Sequence, residues 1–154
     1  MAWLGDAIMA LGVMLCVTLG MCGAAQAVLG GTKATVEADQ AQMKASLKIS
    51  SNGRFEVHEL QTSGGNVVRE FVSPAGNIFA VVWTGHVIPN YSQLLGSYAG
   101  RITAAAETRH FHRAPLRINE PGLVLMSFGH ARFCTGRAYV PELVPAGVQL
   151  GEIR

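Results

Sequence analysis

The alternation of apolar and polar positions along this chain predicts a set of antiparallel β-strands. Residues 55–60 alternate so that odd-numbered side chains fall on one face of an extended segment and even-numbered ones on the other. Residues 67–72 follow the turn sequence Ser63-Gly64-Gly65-Asn66, in which glycine accepts the positive φ of a tight hairpin. Residues 78–83 are apolar on both faces, which is typical of a covered central strand. Further strands are expected at residues 116–118, 123–128 and 132–140.

Two other segments carry the spacing of helices. Thr35 is in position to cap a helix with the apolar stripe Val36, Met43 and Leu47. The dipeptide Pro89-Asn90 begins a second helical region, which continues to residue 107 and has the packing stripe Tyr91, Leu94, Leu95 and Tyr98. We therefore expect an α+β fold, with a mainly antiparallel sheet of about five to seven strands, an N-terminal helix and a central helical segment. The segment after Pro141 is expected to cover the core in an extended form.

The N-terminal segment has the pattern of an export signal. Residues 7–25 contain no charged side chain and lead into Ala25-Gln26-Ala27, where Ala25 and Ala27 supply the small positions of a signal-peptidase site. Cleavage after Ala27 leaves residues 28–154, which is a normal size for one domain. The sequence therefore predicts a signal peptide at residues 1–27, a single globular domain at 28–154 and a periplasmic or secreted location.

Three alternatives to this interpretation stay open. Residues 1–6 hold Asp6 and neither Lys nor Arg, although signals normally open with positive charge, so the true start could lie upstream. The uncharged segment also approaches the length that spans a bilayer, and membrane contact would then come only through an uncleaved leader. Lipid attachment at Cys22 is the third alternative, although Met21 before it is not small.

Charge and cysteine content narrow the class of protein. Residues 28–154 hold all twelve Lys and Arg and nine of the ten acidic residues. This mild cationic excess argues against a dedicated nucleic-acid binder, which has a much more basic face. Cys134 is the one cysteine of the predicted mature chain, so an exported domain has no internal disulfide.

His110 and His112 are the candidates for a metal site. On a strand, residues i and i+2 share a face about 7 Å apart, which lets two imidazoles reach one ion. Arg109 and Arg113 flank this pair with positive charge, and no carboxylate accompanies it in a recognisable ligand spacing. Exposed loop histidines are therefore the favoured interpretation, and we assign no metal.

A thiol nucleophile is the second chemical candidate. His130 lies close in sequence to Cys134, and an adjacent imidazole lowers the pKa of a catalytic thiol. A lone cysteine in a strand is more often a small core residue. The chain has no G-x-S-x-G elbow, phosphate-binding glycine loop, H-E-x-x-H or C-x-x-C motif. We assign no catalytic residue, expect no cofactor and leave open whether the protein is an enzyme.

The most basic stretch is a candidate anion-binding or ligand surface. It contains Arg101, Arg109, Arg113 and Arg117, with only Glu107 opposing them. Such a stretch suits an acidic envelope polymer or a lipid head group, and it is equally typical of the solvated side of a loop. Two other charged residues, Arg69 and Glu70, point to opposite faces of their strand and are expected in a structural ion pair. The aromatic side chains Trp83, Tyr91 and Tyr98 are expected in the core.

Several sequence blocks together carry a resemblance to a known family. They are residues 68–76 (VREFVSPAG), 79–83 (FAVVW) with Gly85, 94–98 (LLGSY), 136–141 (GRAYVP) and 144–148 (VPAGV). The chain resembles an uncharacterised family of small exported proteobacterial proteins, described only as a domain of unknown function. The resemblance runs from the signal peptide to Arg154 and implies a Gram-negative envelope or secreted location. It implies no activity, ligand or catalytic residue.

The function expected from these observations is that of an exported envelope protein that acts as a non-catalytic binding or assembly domain. Its partner would be an envelope protein, a polymer or a small ligand, and not a nucleic acid. A strand edge that adds to another sheet would serve the assembly role. The alternative is a metal-binding protein or a hydrolase-like enzyme that acts on an envelope substrate through its histidines or Cys134.

Overall fold

Seven antiparallel strands form one sheet in the part of the chain that the computed structural model describes, residues 29–87, 89–108, 114–130 and 132–154. The strands are β1 (Ser46–Ser51), β2 (Glu56–Gln61), β3 (Val67–Val72), β4 (Ile78–Gly85), β5 (Leu116–Glu120), β6 (Leu123–His130) and β7 (Phe133–Tyr139). The α-helices are α1 (Val36–Met43), α2 (Tyr91–Leu95) and α3 (Ala99–Glu107). The expected α+β class is confirmed.

The sheet consists of two meanders that meet in its middle. The strand order is β1-β2-β3-β4-β7-β6-β5, and every pair is antiparallel. Short turns join the strands within each meander, and Gly65 and Gly122 adopt the positive φ that two of these turns require. The helical segment α2–α3 links the end of β4 to β5, so that β4 pairs with β7 rather than with its successor. The two-sided apolar sequence of β4 is explained by this central position.

The helices cover one face of the sheet and close the larger core there. Val81 on β4 packs into a cluster with Leu94 of α2 and Ile102 of α3. Trp83 lies in the same cluster, and its ring meets that of Tyr91 edge-on at a centroid distance of 5.7 Å. Tyr98 also packs against the cluster. The aromatic residues expected in the core therefore all contact it.

The opposite face of the sheet, which we call the open face, is only partly covered. Residues 141–154, here called the tail, cross one end of it. The rings of Phe55, Phe71 and Phe79 meet below the tail at centroid distances of 5.7 to 6.1 Å, and Ile153 packs into this cluster. Arg54 holds the tail in place, because its guanidinium donates to Gly147 O at 2.8 Å and to Glu152 Oε2 at 2.6 Å. The tail therefore covers the core as expected, but it is not extended throughout, because residues Pro141–Leu143 and Leu150–Glu152 form 3₁₀ helices.

The N-terminal helix is shorter than the sequence pattern predicts. It ends at Met43, because Lys44 adopts a left-handed conformation with φ 49°. Leu47 consequently lies on β1 and joins the core from the sheet instead of extending the helix stripe. The hydroxyl of Thr35 donates to Thr32 O at 2.6 Å and makes no cap bond to α1. In contrast, the Asn90 side chain caps α2 by accepting from the backbone N–H groups of residues 92 and 93.

None of the helices in the described residues is long and apolar enough to cross a membrane.

Gly136 on β7 provides a test of the packing between the sheet and Trp83. A Cβ at this position would meet Trp83 Cζ2, would lie 2.6 Å from Trp83 Cε2 and would lie 2.9 Å from Met126 O. Because the indole is held on both sides by the core, we expect Gly136→Ala to lower the free energy of unfolding by about 1–3 kcal/mol in urea titrations of residues 28–154.

Gly100→Ala is the matched control, since a Cβ there has no atom within 4 Å and Gly100 lies in α3. This change should leave stability unaltered or raise it by roughly 0.5–1 kcal/mol. Equal stability of the Gly136 variant and the parent protein would contradict the packing described around Trp83.

Candidate functional site

One cross-strand row on the open face contains three arginines, which lie on every second strand. In the pairing registers, Arg69 lies opposite Val82, Val82 opposite Arg137, Arg137 opposite Met126, and Met126 opposite Arg117. The row therefore runs across five strands and alternates a cation with an apolar side chain. Strands two apart are separated by about 9.6 Å, so neighbouring arginines of the row are near enough for their guanidinium groups to converge on one anion.

The charges of this row are only partly neutralised. Arg69 donates from Nε to Glu59 Oε2 at 2.6 Å, and both side chains are about one-third exposed, so the pair is a weak surface interaction. Arg137 donates from Nη1 to Leu150 O on the tail at 3.4 Å. Within the described ranges of the chain, no carboxylate lies in ion-pair distance of Arg117, Arg137 or Arg154. Arg117 and Arg137 therefore have no matching carboxylate among the described residues, whereas Arg69 has one in Glu59.

These arginines line a groove of about 650 Å³, which we call the arginine groove. Four of its lining residues are cationic: Arg69, Arg117, Arg137 and Arg154. Four others give it an apolar floor and wall: Val82, Met126, Phe128 and Ile153. The groove spans β3 to β5 across the sheet and is bounded at one end by the tail. Its volume lies within the range of about 300–1,000 Å³ that is usual for small-molecule sites.

Two large apolar side chains of the groove are left exposed to solvent. Met126 is 40% exposed and Phe128 is 45% exposed, and both project from the same face of β6. A second recess of about 250 Å³ adjoins the groove and shares Arg117, Met126 and Arg137 with it. Adjacent exposed apolar residues inside a concave, polar-rimmed surface are typical of a binding site.

The arginines that the sequence singled out do not lie on one surface. Arg117 belongs to the arginine groove, whereas Arg101 on α3 lies on the helix-covered side, where it donates to Pro121 O at 3.1 Å. Arg109, Arg113, His110 and His112 lie outside the described residues, as do Ala25 and Ala27 of the proposed cleavage site.

His130 and Cys134 do not approach each other as a nucleophile and base. His130 lies exposed on the open face beside Phe133, its strand partner, whereas Cys134 is buried on the opposite face and pairs with Gly129. The thiol donates to Val87 O at 2.8 Å, and burial raises the pKa of Cys134. A raised pKa disfavours the thiolate, so the arrangement suits a core cysteine.

Histidines and acids do not combine into a metal site in the described part of the chain, where no group of three or more His, Cys, Asp and Glu side chains could hold an ion. His58 is buried and contacts Glu56, with 3.0 Å between Nε2 and Oε2. His86 lies on an exposed loop, with its Nδ1 2.9 Å from Arg132 O.

A buried pair of carboxyl groups lies beneath α1 on the helix-covered face. Asp39 of α1 and Glu70 of β3 are both fully buried and interact through their side chains, and Gln93 of α2 donates to Asp39 Oδ1 at 3.2 Å. Burial, followed by the Asp39 charge, raises the pKa of Glu70 to about 8. Glu70 therefore keeps its proton at neutral pH. The ion pair expected for this part of β3 forms between Arg69 and Glu59, while Glu70 pairs with another acid.

Comparison with known protein families matches residues 25–153 to the family described as a protein of unknown function, DUF2844. The chain belongs to the DUF2844 family. The resemblance to a domain of unknown function is thereby confirmed. Comparisons with curated proteins and with solved structures gave no match.

No catalytic or ligand-binding motif marks the groove residues of this DUF2844 protein, although Arg69, Val82 and Arg137 lie in the blocks that carry the family resemblance. Arg69, Arg137 and Arg154 are distant from one another in sequence, and Met126 and Phe128 look like ordinary strand residues. The available signal is the alternation within each strand, which puts these side chains on one face of their strands. Their assembly into one row depends on the register between strands.

Because of Glu70, this DUF2844 protein should become less stable as the pH rises from about 4.5 to 8. The unfolded-state pKa is near 4.5 and the folded-state pKa is about 8, so the folded protein binds the extra proton between these values. The free energy of unfolding should therefore be highest near pH 4.5 and fall as pH rises towards 8, by at most about 1.4 kcal/mol per pH unit. Urea titrations at several pH values measure this slope.

The variant Glu70→Gln should remove most of the slope, because a neutral amide cannot ionise. Glu107→Gln, at an exposed position of α3, is the control and should keep it. Parent protein whose stability stays flat or rises between about pH 5 and pH 8 would show that Glu70 does not hold a proton in the fold.

Proposed function

We propose that this protein is an exported, non-catalytic binding domain and that the arginine groove is its ligand site. The ligand carries negative charge and is held by Arg117 and Arg137, with Arg69 and Arg154 at the margins of the groove. The observation that carries the proposal is the cross-strand row, in which cations lie at alternate strands around an apolar floor.

Electrostatics favours an anion at this place. Like charges that share a groove raise its positive potential, and low-dielectric walls focus the field toward a bound ligand. Arg117 and Arg137 have no carboxylate partner among the described residues, so an incoming anion does not have to displace one. Guanidinium groups also bind carboxylate and phosphate oxygens in bidentate geometry.

Export rests on the N-terminal pattern. The uncharged run of residues 7–25 ends at the small-x-small site Ala25-Gln26-Ala27. The proposed mature domain, residues 28–154, would then act in the periplasm or after secretion.

Amide chemical shifts of the ¹⁵N-labelled domain test anion binding directly. Benzoate, phosphate and monomeric dodecanoate are titrated separately into residues 28–154, and at least one should shift amides clustered on β5, β6 and β7. Arg117→Gln and Arg137→Gln should each weaken that ligand's Kd by about tenfold, because each removes a charge-assisted hydrogen bond.

Arg101→Gln is the matched control, since it removes an exposed arginine on the opposite side of the sheet and should leave the Kd unchanged. Shifts by none of the three anions, or shifts that cluster away from the groove, would overturn the assignment of the groove as an anion site.

N-terminal processing tests export. In a Gram-negative host that expresses the full chain, the intact mass of the purified protein should correspond to a first residue of Val28. Ala27→Glu should block cleavage, because signal peptidase requires a small side chain there, whereas Gln26→Glu adds the same charge at a tolerant position. A different first residue rejects the site, and full-length protein in the cytosolic fraction rejects export.

A further inference from the structure

We propose that the ligand of the arginine groove is an amphiphile with one acyl chain and one anionic head group, such as a long-chain fatty acid. This inference rests on the proposed function and specifies the chemistry of the ligand. It follows from the combination of an exposed apolar floor with two arginines, Arg117 and Arg137, that have no carboxylate partner among the described residues of the same groove.

The floor selects for an apolar ligand body. Met126 and Phe128 stand two residues apart on β6 and expose nearly half of their surface, next to Val82 of β4. A hydrophilic anion would leave these side chains in water, whereas an acyl chain laid across them removes apolar area from solvent on both partners. A simple phosphate or a polysaccharide anion has no apolar chain that could pack against this floor.

The rim selects for a single anionic head group. Arg137 and Arg117 flank Met126 in the row, so a carboxylate above Met126 is within reach of both guanidinium groups. The chain attached to that carboxylate then has two directions available. It can follow the groove over Phe128, or it can enter the smaller recess that shares the same three residues.

The size and shape of the site favour one chain over a membrane surface. The groove of about 650 Å³ is bounded by the tail at Ile153, and the recess of about 250 Å³ adjoins it at Arg117, Met126 and Arg137. A recess of this volume accommodates a single molecule, whereas bilayer association relies on apolar side chains that protrude into lipid. We therefore expect a monomeric lipid to bind, with no vesicle required.

Displacement of a bound dansyl-labelled undecanoate from the unaltered domain measures how much the acyl chain and the anionic head group each contribute to binding. Unlabelled dodecanoate should displace the probe. Butanoate keeps the head group and loses most of the chain, so it should compete roughly 100-fold less well. Dodecanol keeps the chain and loses the charge, so it should compete about tenfold less well. Dodecyltrimethylammonium carries the opposite charge and should not compete.

Two variants test whether dodecanoate binding depends on the apolar floor of the groove or on exposed apolar side chains in general. Phe128→Ser removes exposed apolar area from the groove and should weaken dodecanoate binding by about tenfold. Ile49→Ser removes a similarly exposed side chain, 52% against 45%, from β1 at the far edge of the sheet and should have no effect. Thermal melts of both variants should match that of the parent domain, which shows that a loss of binding does not come from unfolding.

The outcomes distinguish this inference from the proposed function. Suppose that benzoate or phosphate binds at the groove while dodecanoate competes no better than butanoate or dodecanol. The proposal of an amphiphilic ligand is then wrong, and the proposal of an anion site stands. If no anion binds, both fail. Binding to anionic phospholipid vesicles without displacement by monomeric dodecanoate would overturn the single-chain ligand in favour of a membrane surface.

Discussion

The antiparallel pairing of β4 with β7 is the constraint on which the rest of the molecule depends. It joins two meanders that are separated in sequence by the helical segment, and it fixes Val82 opposite Arg137. A slip of one residue in this register would turn every side chain of one meander to the other face. The continuous core under the helices and the row of arginines on the open face both follow from the same hydrogen-bonded ladder.

The two faces of the sheet are covered to different extents. On the helix-covered face the core is closed, and even the acids Asp39 and Glu70 are enclosed together, with a proton retained to limit their repulsion. On the open face the tail covers only the aromatic end, where Ile153 packs with the phenylalanine cluster. The other end stays uncovered, and apolar side chains remain accessible there between cations. The incomplete closure of the open face leaves the arginine groove accessible to solvent.

The strand pattern was predictable because it depends on local physics. The alternation in residues 55–60, the glycine turn before residue 67 and the two-sided apolar run at 78–83 each correspond to an element found in the structure. The end of α1 was not predictable in the same way, because Leu47 fits the spacing of a helix as well as that of a strand. The left-handed residue Lys44 and the pairing of β1 with β2 decide between the two.

The candidate site was likewise predictable from the sequence only in part. The sequence by itself determined that Arg69, Arg117 and Arg137 lie on predicted strands, and that none of them belongs to a known catalytic motif. Only the tertiary structure decided that these three arginines share one row, that Arg101 lies on the opposite side, and that Glu70 faces another acid. The physical reason is that side-chain direction is set by the local backbone, whereas neighbours in a sheet are set by hydrogen bonds between strands distant in sequence.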